Sequence, residues 1–365
     1  MKHVNPTQDA TPYPKNALNG AIATPPVAIE QMDRLRGFLE RLHYDAQPLF
    51  HSLFELGDPA PAAELGDDLK LLLDSGICVE NTGLVQSKFM IKKVYDAFIL
   101  TDFPHYRGED RVLYLAEDES VYVAHAMPDC TGRTVLDIGT GSGVIAITAC
   151  QHGATHVTAL DINERAFKFA RFNARLNGCS DRIDFVASPI KDFPAATKYD
   201  LVVSNPPFIA MPPDGTYRKS GAAGFDGLGV INDIIDRLDE LMHEHSMFLM
   251  LVLSPGGKHF SKVEEDLLDR FSYRRRRIVS TELYGGPHDI DIIFMPFADE
   301  PRLEEWRAEI GRNNYTHIHC FLLEMMPDIS HSFLRKVQHP FLQKTQECGT
   351  WWAKYVDIKK SKELT

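Results

Sequence analysis

The chain has 365 residues, 44% hydrophobic and 25% charged, proportions ordinary for a globular protein and sufficient for two or three domains with a sizeable core. Thirty-nine Lys and Arg against 51 Asp and Glu leave a net charge of −12, which argues against a nucleic acid gripped through its phosphates. Six scattered cysteines with no Cys-x-x-Cys pair point to reduced thiols in a cytoplasmic protein rather than a disulfide or zinc framework; no run reaches the ~18 to 20 apolar residues of a membrane span.

Residues 1–28 are rich in Pro, Asn, Thr and Ala without an apolar signal core, and read as a flexible or surface-draped arm. From 29 to 106 the apolar positions recur at helical spacing: Leu35, Phe38, Leu39 and Leu42, then Leu49, Phe50, Leu53 and Phe54, then Leu69, Leu72 and Leu73. A hairpin follows, turning at Asn81-Thr82-Gly83. Helices followed by a hairpin predict a helical, winged-helix-like domain. Between residues 31 and 74 four basic side chains face nine acidic ones, so folding or substrate recognition is a better reading than contact with DNA.

From 107 to 297 strand and helix patterns alternate: strand 134–138, helix 144–152, strand 156–161, helix 164–176, strand 182–187 and strand 201–204. Such alternation predicts a parallel sheet covered by helices on both faces. Helix 230–243, strand 247–253 and helix 262–271 continue it, and two late runs, 274–281 and 291–297, flank the loop Tyr284-Gly285-Gly286-Pro287. From 298 to 365 a helix around Trp306 and Ile310 precedes a strand-like alternation at 316–323. The large apolar groups Phe333, Leu334, Phe341, Trp351, Trp352 and Tyr355 are too many for a solvated tail; a cap over a substrate cleft and a homodimer contact both suit them.

Two motifs carry chemistry. Gly139, Gly141 and Gly143 lie between a buried strand and a helix, where the backbone can turn tightly against a ligand with no Cβ in the way. Asp161 ends the next strand, 18 residues past Gly143, a place from which a carboxylate can accept both hydroxyls of a ribose. That pair alone would also suit a dinucleotide. Asn205-Pro206-Pro207-Phe208 ends the strand 201–204; the prolines stop the strand and leave carbonyls facing outward. The Asn205 side-chain carbonyl and the Pro206 backbone carbonyl are two acceptors suited to an NH2 group, and Phe208 offers a face to a flat substrate.

Together the motifs resemble the class I S-adenosyl-L-methionine (SAM) dependent N-methyltransferases of the Asn-Pro-Pro-(Phe/Tyr) group, which include release-factor glutamine and rRNA guanine methyltransferases. The resemblance covers about residues 107–297 and implies a doubly wound, mostly parallel seven-stranded Rossmann-like sheet, with the two late runs at its edge and one of them antiparallel. It implies SAM held by Asp137, Gly139, Gly141, Gly143, Asp161, Ser188 and Asn205, catalysis by Asn205, Pro206 and Phe208, and substrate contact by Phe208; Tyr217 and Arg218 are added as substrate contacts, for instance to a carboxylate, because their loop directly follows the motif. Ala187-Ser188-Pro189 departs from the family's usual Ala-Ser-Asp, which leaves Ser188 or a backbone group for the adenine. Glu117-Asp118-Glu119-Ser120 occupies the place of an acidic segment that approaches SAM in the release-factor enzymes, and a solvated turn is its plain alternative.

The expected reaction is methyl transfer to a planar amide or guanidino nitrogen of a small molecule such as an amino acid, or of a protein side chain. Asp214, Asp226, Glu282, Asp289 and Asp291 are carboxylates that could face a guanidinium. Methylation of an rRNA base is the alternative substrate class, and a SAM-binding module without turnover is an alternative of another kind. His317, His319, His331 and His339 match no metal-ligand spacing, and Arg274-Arg275-Arg276-Arg277 reads as a solvated, aggregation-blocking run on an edge strand.

Overall fold

In the computed structural model the described residues are 29–106, 108, 110–112, 119–194, 196–212, 222–271, 276–284, 286–298, 301–327 and 333–338. The proposed arm, 1–28, lies outside them. The helical spacing read in the sequence gives α1 (Ile29–Asp45), which buries Leu35, Phe38, Leu39 and Leu42, and α2 (Gln47–Phe50), continued by a π-helical turn over His51–Leu56. Gly57, at φ 78°, ends that turn in the left-handed conformation that a Cβ would penalise. After the strand β1 (Ala60–Pro61) and the helix α3 (Leu69–Asp74) come β2 (Cys78–Asn81) and β3 (Leu84–Ser87), in an antiparallel sheet of order β1-β3-β2. Thr82 and Gly83, at φ 52° and 79°, make the hairpin turn, a backbone whose twist matches that of its strands. A second hairpin, β4 (Met90–Val94) and β5 (Ala97–Thr101), links this module to the rest.

The central sheet follows the predicted alternation. Helix α4 (Ser120–His125) precedes β6 (Thr134–Ile138), α5 (Val144–Gln151), β7 (His156–Asp161), α6 (Glu164–Leu176), β8 (Ile183–Ala187) and β9 (Tyr199–Ser204). Then come α7 (Gly229–Leu241), β10 (Met242–Gly256), α8 (Lys262–Phe271), β11 (Arg276–Glu282), the short β12 (His288–Asp289), α9 (Leu303–Arg312), β13 (His317–Pro327) and β14 (Phe333–Gln338). The strand order is β14-β11-β13-β10-β9-β6-β7-β8, with β12 paired to β13. Strands β6 to β10 pair in parallel and β13 runs antiparallel to both β10 and β11. Apolar side chains of α4, α5 and α9 cover one face and those of α7 and α8 the other. The structure is thus α/β, doubly wound and mostly parallel. Phe169, Phe172 and Leu176 of α6 join the core of the N-terminal helices, so that module rests on α6.

Four expectations are corrected. The run 291–297 is no strand: Ile290–Phe297 is a 3-10 helix in which Ile292, Ile293 and Phe294 are buried consecutively, and Pro296 has no N–H to give to a ladder. The antiparallel strand is β13, which lies in the segment read as an extension and inserts between β10 and β11. With β12 and β14 the sheet has nine strands among the described residues, where seven were expected. Finally, Arg276 is not part of a solvated run. It is buried and donates to the carbonyls of Ser246 and His243 at 2.7 and 2.8 Å, where β10 is irregular in its pairing with β9.

Candidate active site

Parallel pairing of β6 with β9 sets Ile138 against Ser204, so the two motifs leave the sheet side by side at the same edge. The buried Ser204 hydroxyl donates to the Ile138 carbonyl at 2.7 Å and fixes the register. Gly139, Gly141 and Gly143 adopt φ of 77°, 51° and 83°. A Cβ on Gly139 would stand 3.8 Å from the Asn205 carbonyl oxygen, and the backbone of one motif therefore faces that of the other across a gap that a side chain would fill. Gly143 serves packing instead: a Cβ there would come within 3.1 Å of Ala170 on α6.

Acidic groups hold the turn in shape. Asp137 is 0% exposed, and its Oδ2 accepts the Thr140 hydroxyl at 2.7 Å. Asp161 Oδ2 accepts the Gly141 amide and its Oδ1 the Asn163 amide, both at 2.8 Å. Burial pushes the Asp161 carboxyl above the usual carboxylate range, while the amides of Asn163, Gly141 and Ile162 oppose that rise. Since each carboxylate oxygen has two lone-pair sites, these bonds leave capacity for a further donor. Asn163 caps α6 by accepting from the Arg165 amide and donates to the Asp110 carbonyl at 2.8 Å, tying Asp110 to the end of β7. Ser188 donates its amide to the Asp161 carbonyl at 3.1 Å and its hydroxyl to the Pro189 carbonyl at 3.0 Å.

On the acceptor side Asn205 Nδ2 donates to the Ser120 hydroxyl at 2.9 Å, which sets the orientation of the amide. Of the acidic segment upstream, Glu119 and Ser120 are buried and Glu117 and Asp118 lie outside the described residues; the described part is no solvated turn. Phe208 packs between the cores of the two sheet faces. Beyond it residues 209–211 and 222–224 lie parallel to one another: Ala223 donates to the Ile209 carbonyl at 3.1 Å and Met211 to that of Gly224 at 2.9 Å. Gly227, at φ 80°, passes so near that a Cβ would lie 2.4 Å from the Phe208 carbonyl oxygen. Trp306 of α9 clamps this loop by donating Nε1 to the Phe225 carbonyl at 2.7 Å.

Tyr217, Arg218 and Asp214 fall in 213–221, outside the described residues. Among the other carboxylates, Asp226 is half-buried just after this parallel pairing, and burial raises its pKa. Asp289 caps the 3-10 helix, accepting from the Asp291 amide at 2.9 Å, and Asp291 pairs with Arg307; both are exposed. His319 is buried, bonded through Nε2 to the Gly257 carbonyl at 2.8 Å, and His317 meets the Thr316 hydroxyl. His331 and His339 lie outside the described residues. Two features escape a reading of motifs. Ile162 is 54% exposed directly after Asp161, signalled only by an apolar residue at a strand end. Tyr284 adopts φ 55° and meets the Tyr122 ring edge-on with centroids 6.1 Å apart, which no local signal announces.

A family model described as ribosomal protein L11 methyltransferase (PrmA) matches residues 123–228, a span that contains both motifs. The ribosomal protein L11 methyltransferase of Escherichia coli (strain SMS-3-5 / SECEC) is 46% identical over 77 residues, covering 21% of this chain and 26% of that protein. That of Salmonella newport (strain SL254) is 44% identical over 77 residues. The match thus spans about a quarter of the length of these curated relatives. Among solved structures, a ribosomal protein L11 methylase from Lactobacillus delbrueckii subsp. bulgaricus aligns with a TM-score of 0.33 at 20% identity, over 59% of this chain and 77% of that one. The M. jannaschii TYW2 in complex with AdoMet aligns with a TM-score of 0.40 at 12% identity, over 66% and 87%.

Proposed function

We propose that the protein is a SAM-dependent methyltransferase that transfers a methyl group to a planar nitrogen held at Asn205. The observation that carries this reading is the apposition of the Gly139 turn and the Asn205 carbonyl at neighbouring strand ends, within the segment that the L11 methyltransferase family model matches. The residues present fit the cofactor. The turn leaves open the space that a Cβ on Gly139 would take, Asp161 stands at the neighbouring strand end with acceptor capacity for ribose hydroxyls, and the exposed Ile162 offers an apolar face to a purine. When bound, SAM supplies a methyl group already activated by its positive sulfonium.

The protein is left with positioning and electrostatics. An amide or guanidine nitrogen delocalises its lone pair. Acceptors at the Asn205 side chain and the Pro206 carbonyl favour the more pyramidal nitrogen of the transition state and stabilise the positive charge that develops there. Ser120 orients the Asn205 amide, and Phe208 bounds the place of a flat group. Asp137 serves by pinning Thr140 and with it the turn. The net charge of −12 favours a small molecule or a protein side chain over RNA as acceptor, and a ribosomal protein is the substrate named for the relatives matched over 123–228. Calorimetric titration with SAM tests the assignment. Micromolar-range binding is expected for the native chain and none for Gly139→Val, whose side chain would fill the gap; equal binding by the two proteins would overturn it.

A further inference from the structure

Helix α6 carries the buried Asn173, and the buried Asn177, one turn further on, is its C-cap; both bond to the backbone of β5 as a neighbouring strand would. Asn177 accepts the Phe98 amide at 3.0 Å and donates to the Phe98 carbonyl at 2.9 Å. Asn173 accepts the Leu100 amide at 2.9 Å and donates to the Leu100 carbonyl at 3.0 Å. Two residues of one strand spaced by two present their backbone groups to the same side, and a helix brings i and i+4 to one face. The two side chains thus satisfy an edge that would otherwise lack partners. The asparagines differ in their remaining bonds, Asn177 Oδ1 also accepting from Arg36 of α1 at 3.5 Å. Asn173 Nδ2 also donates to the Ser142 carbonyl at 2.9 Å, inside the Gly-rich turn, whereas the second bond of Asn177 Nδ2 goes to the Asn173 carbonyl of its own helix at 2.8 Å.

We propose that Asn173 is a positioning residue for the cofactor turn, and that through it the N-terminal module and the cofactor site are energetically coupled. The inference rests on the SAM reading for the identity of the ligand but not for the geometry. One planar amide, fully buried, touches β5 and the turn at once, so any displacement of the hairpin β4–β5 moves the group that holds Ser142. The turn is also held by Asp137 on Thr140, by Asp161 on Gly141 and by the Leu160 carbonyl, which accepts from the Gly139 and Thr140 amides at 2.9 and 2.8 Å. Asn173 supplies the hold on the Ser142 side, next to Gly143, whose amide donates to Thr140 at 2.8 Å. Because coupling is reciprocal, a ligand that orders the turn also stabilises β5.

Hydrogen exchange and calorimetry on the full chain separate this role from a merely structural one. In Asn173→Ala, without any ligand, the Gly141 and Gly143 amides should exchange about tenfold faster than in the native protein, and SAM should bind about tenfold more weakly. Asn177→Ala loses equivalent contacts with the hairpin and should leave both quantities within about twofold. Should Asn173→Ala not fold, Asn173→Asp retains the acceptor for Leu100 and loses the amide donor to Ser142, and the same faster exchange is expected. In the native protein, addition of SAM should slow exchange of the Leu100 amide. Equal effects of the two alanine substitutions on the turn, or none from either, would overturn the proposal. Failure of the native chain to bind SAM would instead strike the cofactor reading, with the ligand-free exchange still deciding the role of Asn173.

Discussion

At the scale of single residues, Asp161 and Asn205 divide cofactor binding from transfer. Asp161→Ala should weaken SAM by about 1 to 3 kcal/mol, the scale for stranding hydrogen-bonding partners in a buried site; unchanged calorimetric affinity would remove Asp161 from the ribose. Its pKa adds a pH signature. The ionised carboxylate accepts hydroxyls more strongly and with more lone pairs than the neutral acid, which turns one oxygen into a donor, and burial raises its pKa. Affinity should therefore be full above that raised pKa and fall as pH drops through it, at a higher pH than an ordinary aspartate would give, and Asp161→Asn should flatten the profile. Asn205→Ala should lower transfer on the order of 10² or more, as for loss of an oxyanion-type contact, with SAM affinity nearly intact. Normal turnover of labelled SAM by that variant would exclude the proposed role.

Between elements, a buried ion pair joins α6 to the residue after β5. Arg165 grips Asp102 through both guanidinium nitrogens at 2.6 and 2.7 Å and lies 4.4 Å from the Tyr106 ring centroid. The Asp102 side chain is only 4% exposed. Arg165→Met should cost about 3 to 5 kcal/mol in urea unfolding, because it leaves that carboxylate buried without its cation; a change under 1 kcal/mol would show water entering instead. The helices and parallel strands were legible because their patterns are local. The periodicity of 164–176 is contained within α6 itself, and strands buried on both faces read as unbroken apolar runs. Ile290–Phe297 is such a run too, and an apolar stretch without period does not distinguish strand from 3-10 helix. The place of β13 was illegible for another reason: strand order is decided by pairing partners far apart in sequence. The same holds within the site. Motif residues announced themselves, whereas Ser120 and Asn205, 85 positions apart, and Phe225 and Trp306, 81 apart, meet only in the folded chain.

For the molecule as a whole, charge frames the choice of acceptor. Incubation with labelled SAM and separated fractions of RNA, protein and small metabolites should place the label in protein or small molecules, because a chain of net charge −12 lacks the basic surface that phosphate contacts require. Label in RNA, with affinity falling steeply as salt rises, would reverse that reading and bring the N-terminal module forward as the docking surface. Truncation at residue 298 should yield insoluble protein, since it strips the partner strand from both β10 and β11 and exposes two apolar edges; a soluble, cooperatively melting fragment would contradict the sheet order. The antiparallel insertion also sets a timetable for biosynthesis. Both motifs leave the ribosome well before β13 does, yet Phe248 must await Met325 and Ile278 must await that same residue before their shared ladder can close. Pairings of such long sequence separation form slowly. A nascent chain can thus shape its glycine turn early while the edge of β10 stays open, and during that interval chaperone capture or misassembly competes with completion of the sheet.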